Sequence, residues 1–103
     1  MKPPTRAERE YMMMVASLGC VACRNTGRGS TPAEVHHIRT VAGAGARAPH
    51  TLVIPLCPDH HRNGGHSVAI HAGQKQWESL YGSETGLLAQ TILDVYLLTR
   101  QVV

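Results

Sequence analysis

Polar and apolar residues near the start of the chain alternate with the period of a helix. Tyr11, Val15 and Leu18 recur every three or four positions and form one apolar stripe. Thr5 and Glu8, ahead of the stripe, form a capping box. The Thr5 hydroxyl can accept from the Glu8 N–H, while the Glu8 carboxylate accepts from the Thr5 N–H. We therefore predict a helix that follows Thr5 and runs to about Leu18.

Two short β-prone runs follow in the middle of the chain. Residues 33–38 are an extended run, and residues 52–56 are mostly β-branched or aliphatic. Pro58 suits the first turn of a short helix, which Asn63 and the two glycines after it end. Residues 41–48 are small and Gly-rich but lack the Gly-Lys-Ser/Thr ending of a P-loop, so they indicate a loop rather than a nucleotide site.

Two helices are predicted in the last third of the chain. The first begins at Gln74, carries Trp77 on its apolar side and ends at Gly82. Ser83 can cap the second helix, which runs to about Arg100.

The second of these helices carries more apolar residues than one stripe needs. The surplus favours deep burial of the helix over a partner surface. The predicted stripe comprises Leu88, Ile92, Val95, Tyr96 and Thr99, and the surplus comprises Leu87, Leu93, Leu97 and Leu98.

The composition indicates one small domain with a thin core. The chain has 103 residues, one Trp and no Phe, and small domains of this kind often need a metal or disulfides to stay folded. Three cysteines cannot all pair and no secretory signal precedes them, so disulfides are the weaker interpretation. No apolar run reaches the roughly 18 residues of a membrane span. We expect one α+β domain over residues 1–103, with an N-terminal helix (1–18), a metal-stapled core (19–72) and C-terminal helices (73–103).

The cysteines have the spacing of metal ligands. Cys20 and Cys23 form a Cys-x-x-Cys pair, and Cys57 and His60 form a Cys-x-x-His pair. Together they offer the four ligands of a closed tetrahedral zinc site. A Cys-x-x-Cys pair alone could be a thioredoxin-like redox pair, but that chemistry needs no distant Cys-x-x-His. The pattern favours a structural Cys3His zinc site that joins the end of the first helix to the turn within residues 52–62.

Paired histidines lie between and beside these ligands. His36 and His37 are adjacent on a predicted strand, so their side chains point to opposite faces. One can then bind a metal while the other does different work. His61 follows His60 directly, and a strand, a loop, a strand and a helix that place His61 opposite the first pair make a ββα-metal unit. The alternatives for His36 and His37 are a second ordinary zinc knuckle or a buried hydrogen-bonded pair.

These motifs together resemble a nuclease family. Residues 35–38 (Val-His-His-Ile), a Gly-rich loop and residues 54–62 resemble the HNH (His-Me finger) endonucleases. Within that group the chain is similar to the phage recombination-enhancement (Ref-like, RecA-dependent) nucleases, and the resemblance covers roughly residues 15–82. The segments that carry this second similarity are residues 19–23, 71–73 and 77–82.

The resemblance implies a role for each paired histidine. His37 would be the general base that takes a proton from the attacking water. His36 and His61 would hold one catalytic divalent ion that binds the scissile phosphate. His71 matches a downstream histidine of the family and is the third candidate ligand, with His66 as its competitor.

The family's middle Asn is missing from its usual place. His50 stands near that place and would orient the base through a hydrogen bond, and Asn63 is a less favoured stand-in. A set of imidazoles favours zinc, nickel, cobalt or manganese. Magnesium would need water and phosphate oxygens for most of its shell. The implied cofactors are a structural zinc and one catalytic divalent metal (Mg, Mn, Zn or Ni).

Basic residues cluster around the implied site. Arg39, Arg47, Arg62 and Lys75 are natural phosphate contacts, which fix position without reading bases. The formal charge of +3 and the pI near 9.0 suit a polyanion such as DNA. No helix rich in base-reading side chains is visible, so we expect weak sequence specificity, with targeting by a recombinase filament or by DNA structure.

Two functions of different classes are therefore weighed. The first is a metal-dependent HNH endonuclease that hydrolyses DNA phosphodiester bonds, which by resemblance would be a cytoplasmic phage or prophage protein in a bacterial host. The alternative is a non-catalytic zinc module that binds nucleic acid or protein. The module explains the Cys3His set and the basic charge, but not a second histidine set beside the first.

Overall fold

Helices surround a two-stranded sheet in the computed structural model, which describes residues 3–40 and 49–100. This is the small α+β architecture that the sequence predicts. The segment 41–48, with the candidate Arg47, lies outside the described residues. The elements in chain order are α1 (Arg6–Ser17), α2 (Val21–Asn25), β1 (Glu34–His37), β2 (Val53–Leu56), a π-helical turn (Asp59–Asn63), a 3-10 turn (Ile70–Ala72), α3 (Gln74–Tyr81) and α4 (Glu84–Arg100).

Helix α1 begins and ends where local chemistry predicts. The Thr5 hydroxyl accepts from the Glu8 N–H at 3.1 Å, and the Thr5 N–H donates to the Glu8 carboxylate at 2.8 Å. The capping box is therefore confirmed. After the last turn, Gly19 adopts a φ of +82°, a left-handed conformation that glycine reaches without a Cβ penalty. That turn delivers the chain directly into Cys20.

The two strands pair antiparallel and sort their side chains onto two faces. His36 lies opposite Ile54, and His37 lies opposite Val53. Because cross-strand partners share a face, His36 and Ile54 point one way while His37 and Val53 point the other. The adjacent histidines therefore serve different environments, as the strand period requires.

Each face of the sheet meets its own apolar cluster. On the His37 face, Val53 packs against Val15 of α1 and Val95 of α4. On the His36 face, Ile54 joins a larger cluster with the fully buried Trp77 of α3, whose indole N–H donates to the Val68 carbonyl at 3.0 Å. A two-stranded sheet is marginal alone in water, so its stability comes from helices packed on both sides.

The buried stripe of helix α4 matches the predicted one only in part: Val95 is buried and Leu88 packs against the core, whereas Ile92, Tyr96 and Thr99 are exposed. Its buried residues are Glu84, Leu87, Thr91 and Val95, which recur every three or four positions. Two of them are polar but hydrogen-bonded: the Thr91 hydroxyl donates to the Leu87 carbonyl at 2.8 Å, and the Glu84 carboxylate accepts from the Arg39 and Thr40 N–H groups.

The predicted deep burial of α4 is wrong. The helix is apolar on nearly every side, so composition selects no face, and its position is set by contacts with β2 and α1. The side chains left in solvent are 37–56% exposed and comprise Ile92, Leu93, Tyr96, Leu97 and Leu98.

A π-helical turn replaces the short helix expected after Pro58. The Gly64 N–H donates to the Asp59 carbonyl at 2.9 Å, five residues back. A Cβ on Gly64 would lie 2.4 Å from the Val68 side chain and 2.6 Å from the Asp59 carbonyl oxygen, so the turn closes only around glycine. This turn carries both His60 and His61 into the interior. Within the described residues, no helix has the length and apolar content to cross a bilayer.

Gly19→Ala is expected to destabilise the fold more than Gly27→Ala. Both glycines have positive φ (+82° and +78°), but a Cβ on Gly19 would lie 2.8 Å from the Ser30 Cα, whereas a Cβ on Gly27 meets nothing within 4 Å. The shared backbone penalty is about 1–2 kcal/mol, and the clash at Gly19 adds about 1–3 kcal/mol. Urea unfolding of the zinc-loaded variants measures the difference. Equal losses would show that the tight approach of residues 19 and 30 is wrong.

Candidate metal centres

Three cysteines and a histidine meet in the interior. Cys20 and Cys23 flank the start of α2, while Cys57 and His60 flank the start of the π-helical turn, and all four side chains are at most 5% exposed. The His60 Nδ1 atom lies 3.5, 3.4 and 3.2 Å from the sulfurs of Cys20, Cys23 and Cys57 respectively. The predicted Cys-x-x-Cys and Cys-x-x-His pairs therefore meet at one point in the interior.

The separations within this group match a tetrahedral metal site. Zn–S bonds of about 2.3 Å and Zn–N bonds of about 2.05 Å give tetrahedral edges of about 3.8 Å between sulfurs and about 3.6 Å between sulfur and nitrogen. The Cys23 and Cys57 sulfurs are 3.9 Å apart, and the sulfur–nitrogen distances lie just below the ideal edge. The buried Cys3His group can thus hold a metal such as zinc.

The protonation of the group also suits a cation. Burial raises the pKa of the Cys20 thiol to about 12, and burial lowers the pKa of His60. Without a cation, this pocket therefore favours a protonated Cys20 thiol and a neutral His60 imidazole. A divalent ion displaces the thiol protons and meets an imidazole already in its ligand form.

A second group consists of three histidines. His36 comes from β1, His61 from the π-helical turn and His71 from the 3-10 turn. Their ring centroids are 4.7–5.2 Å apart, and one nitrogen from each lies within 4.8 Å of the others. The Nε2 atoms of His61 and His71 are 3.0 Å apart, the spacing of about 3.0 Å that neighbouring ligands of an octahedral ion have at about 2.1 Å. This group can also hold a metal ion.

Adjacent residues in one turn serve the two groups. His60 points into the cysteines and His61 into the histidines, and the His61 N–H donates to the Cys57 carbonyl at 2.9 Å. Among the two candidates for third ligand, His71 joins this group, whereas His66 is exposed and belongs to neither metal-ligating group found in residues 3–40 and 49–100.

Two carboxylates that the sequence reasoning missed contact the histidine group. The Glu84 Oε2 atom lies 2.6 Å from the His36 Nε2 atom, and the Glu34 Oε1 atom lies 2.6 Å from the His61 Nδ1 atom. Carboxylates that bind the second ring nitrogen orient an imidazole and raise its basicity as a ligand. Glu34 could have been found from the strand period, since it shares a face with His36. Glu84 is 48 positions from His36, and only the fold brings them together.

Charge in this region is held on the Glu84 carboxylate, while His61 and His71 favour the neutral form. Burial alone would raise the pKa of Glu84, but hydrogen bonds from His36, from Thr40 and from the Arg39 N–H outweigh burial and lower that pKa to about 2. Burial lowers the pKa of His61. Burial and then the Arg39 guanidinium lower the pKa of His71 to about 4. Neutral imidazole is the form that binds metals.

His37 and His50 form a pair on the opposite face of the sheet from His36. The His37 Nε2 and His50 Nδ1 atoms are 3.0 Å apart, and the rings meet edge to face. The structure therefore brings together the two residues that the sequence assigned as base and orienting partner. Their catalytic roles stay predictions.

The described basic candidates are exposed, and two act on the histidine group. The Arg39 guanidinium contacts the His71 Nδ1 atom, and the charge of Arg62 helps to lower the pKa of both His61 and His71. Lys75 lies in the first turn of α3. Positive charge therefore lies beside the histidine group, where a phosphate could be bound.

A model of a known protein family matches most of the chain. The family is described as recombination enhancement, RecA-dependent nuclease, and the match spans residues 4–95. That span contains both metal-ligating groups, the His37–His50 pair and every element up to the last turns of α4.

His60→Ala and His61→Ala are expected to separate the two metal centres. His60→Ala removes a ligand of the Cys3His group, so bound zinc is lost and the free energy of unfolding falls by more than about 4 kcal/mol, the scale of a lost metal site. His61→Ala, at the neighbouring buried position, keeps one tightly bound zinc and loses an ordinary ~0.5–3 kcal/mol. Zinc content by mass spectrometry and thermal unfolding check both. Tightly bound zinc that is retained in His60→Ala, or lost in His61→Ala, contradicts the assignment.

Proposed function

The chain belongs to the recombination enhancement, RecA-dependent nuclease family, and we propose that it is a metal-dependent HNH endonuclease that hydrolyses DNA phosphodiester bonds. The observation that carries this proposal is the group of His36, His61 and His71, the first two of them buried, beside a separate Cys3His group. A purely structural zinc protein needs one such group. A nuclease that binds an ion at its reaction centre needs the second.

The order of elements supports the HNH type. Strands β1 and β2 pair antiparallel, and the π-helical turn follows β2 directly. His36 from the first strand and His61 from the turn meet as candidate ligands. Two strands and a helical turn around one ion are the parts of a ββα-metal unit, with a π-helical turn in place of an α-helix.

The histidine group would hold the catalytic ion. When bound, a divalent ion supplies charge stabilisation at the scissile phosphate and at the leaving 3′ oxygen. His36, His61 and His71 hold their rings toward one point, and burial keeps His61 and His71 neutral and ready to bind. Imidazole ligands favour zinc, nickel or manganese, while magnesium would depend on oxygen ligands from water and phosphate.

His37 is the proposed general base. It lies on the strand that supplies His36, but its side chain leaves from the other face, which separates proton transfer from metal binding. The contact with His50 at 3.0 Å fixes the orientation of the imidazole. A neutral imidazole can accept a proton from water at neutral pH. His50 would thus serve where the family has its middle Asn.

Phosphate binding would fall to the exposed basic residues. Arg39 contacts His71, and the charge of Arg62 helps to lower the pKa of both His61 and His71, so both guanidinium groups lie near the proposed ion site. Lys75 and Arg47 are further candidates from the sequence. These contacts hold the backbone of DNA without reading bases. Low intrinsic specificity follows, and targeting would come from RecA-coated DNA, as the family description suggests.

His37→Ala is expected to abolish cleavage while keeping both metals. Loss of a general base costs about 10²–10⁴-fold in rate, and His37 is outside both metal-ligating groups. His61→Ala is the contrasting variant, since it should lose cleavage and the exchangeable ion together while keeping zinc. Plasmid nicking and metal content measured on the same preparations check this. A folded His37→Ala variant with full activity would mean that the base is misassigned.

Cleavage is expected to be stronger on RecA-coated DNA than on naked DNA. The test mixes the zinc-loaded protein with labelled single- or double-stranded DNA, with and without RecA and ATP. Magnesium, manganese or nickel is supplied as the second metal. Equal cleavage with and without RecA contradicts the targeting. A protein that is inert with every metal on every substrate, and that holds one zinc and no exchangeable ion, is the non-catalytic zinc module instead.

A further inference from the structure

The Glu84 carboxylate divides its two oxygens between different partners. Its Oε2 atom faces the His36 Nε2 atom at 2.6 Å. Its Oε1 atom accepts four hydrogen bonds: from the Arg39 N–H at 2.8 Å, the Thr40 N–H at 3.0 Å, the Thr40 hydroxyl at 2.7 Å and the Gln74 side-chain amide at 3.1 Å. The side chain has no exposed surface, so water does not compete for either oxygen.

The surroundings allow only one orientation of this carboxylate. The Arg39 and Thr40 N–H groups lie two and three residues beyond the end of β1, and as backbone donors they cannot become acceptors. The Glu84 N–H in turn donates to the Glu78 carboxylate at 2.6 Å, which holds the first residue of α4 in place. Glu34, the carboxylate beside His61, differs in being 48% exposed, so water competes with its contact. Glu84 is therefore the stricter constraint of the two.

This arrangement determines which nitrogen of His36 carries the proton. An ionised carboxylate only accepts hydrogen bonds, so the His36 Nε2 atom must be the donor. A neutral imidazole has one N–H, which leaves the Nδ1 atom with a lone pair. A metal ligand needs that lone pair, and the other nitrogen's partner decides where it lies.

We propose that Glu84 is a positioning residue, which fixes the proton of His36 on Nε2 and so presents Nδ1 to the divalent ion. The inference rests on the proposed function in taking His36 as a ligand of that ion. Glu84 lies outside the group of His36, His61 and His71 and would act on the ion through the His36 imidazole. Because the same carboxylate binds the start of α3 and the segment after β1, it sets the ring's orientation together with its protonation.

Glu84→Gln tests this role through an exchange of one oxygen for an amide. The two backbone N–H donors require the amide oxygen to occupy the Oε1 place, since an NH2 group there would meet N–H groups head on. The amide NH2 then faces His36, whose Nε2 atom must accept, and the proton moves to Nδ1. The lone pair toward the ion is lost without a change in side-chain size.

Glu78→Gln is the matched control. It makes the same carboxylate-to-amide change at the α3–α4 junction, where the partner is the Glu84 N–H. An amide oxygen accepts that hydrogen bond as the carboxylate does. Glu78 belongs to neither metal-ligating group, so this variant should keep wild-type metal binding.

The measurements are histidine tautomers by ¹⁵N NMR and the affinity of the zinc-loaded protein for Co²⁺ or Mn²⁺. We expect Nε2–H for His36 in the wild type and in Glu78→Gln, and Nδ1–H in Glu84→Gln. Affinity for the added ion should fall about 10–100-fold in Glu84→Gln alone, the usual effect of losing such a partner. The one tightly held zinc should stay in all three proteins.

The outcomes separate this inference from the proposed function. Nδ1–H on His36 in the wild type overturns the inference even if no variant folds. A folded Glu84→Gln protein that binds the ion as tightly as the wild type also overturns it, whether or not the wild type cleaves DNA. If the proteins show the expected tautomers and affinities but the wild type cleaves no DNA, the nuclease proposal is overturned and the role of Glu84 is supported. A wild type that takes up no second ion overturns both.

Discussion

The convergence of Cys20, Cys23, Cys57 and His60 is the constraint on which the rest of the structure depends. It joins residues 34–40 positions apart in a chain with no Phe and one Trp. A sheet of two short strands and a core of this size supply little stability of their own. A metal ligated at this point would close the loop that contains β1 and β2, and it would fix both ends of the sheet region at once.

That constraint also positions the second group. His60 and His61 are neighbours in one π-helical turn, so the scaffold ligand and the candidate ligand at the reaction centre share a backbone segment. A shift of the turn would move both. The turn is closed by Gly64, where a side chain has no room, and π-helical turns are frequent at functional sites because they re-aim side chains that an α-helix would place differently.

Buried polar contacts connect the C-terminal helices to the site. Glu84 opens α4 and reaches His36, the segment after β1 and the first residue of α3. A buried carboxylate is costly unless it is fully hydrogen-bonded, and this one is. Its place at the positive end of α4 adds to its stabilisation. Helix α4 is rich in apolar residues, but its one buried charge, Glu84, fixes its position at least as specifically as Leu87 and Val95 do.

The sequence alone determined what depends on short spacing: the capping box of α1, the Cys-x-x-Cys and Cys-x-x-His pairs, and the opposite faces of His36 and His37. Each of these features depends only on the backbone geometry of residues a few positions apart. The tertiary structure decided what depends on distant segments. Helix α4 is apolar all round, so its own pattern could not choose the Leu87–Thr91–Val95 stripe, and contact with β2 and α1 chose it. Glu84 contacts His36 only because the tertiary fold brings together residues that are 48 positions apart. No local sequence pattern predicts a contact between residues so far apart.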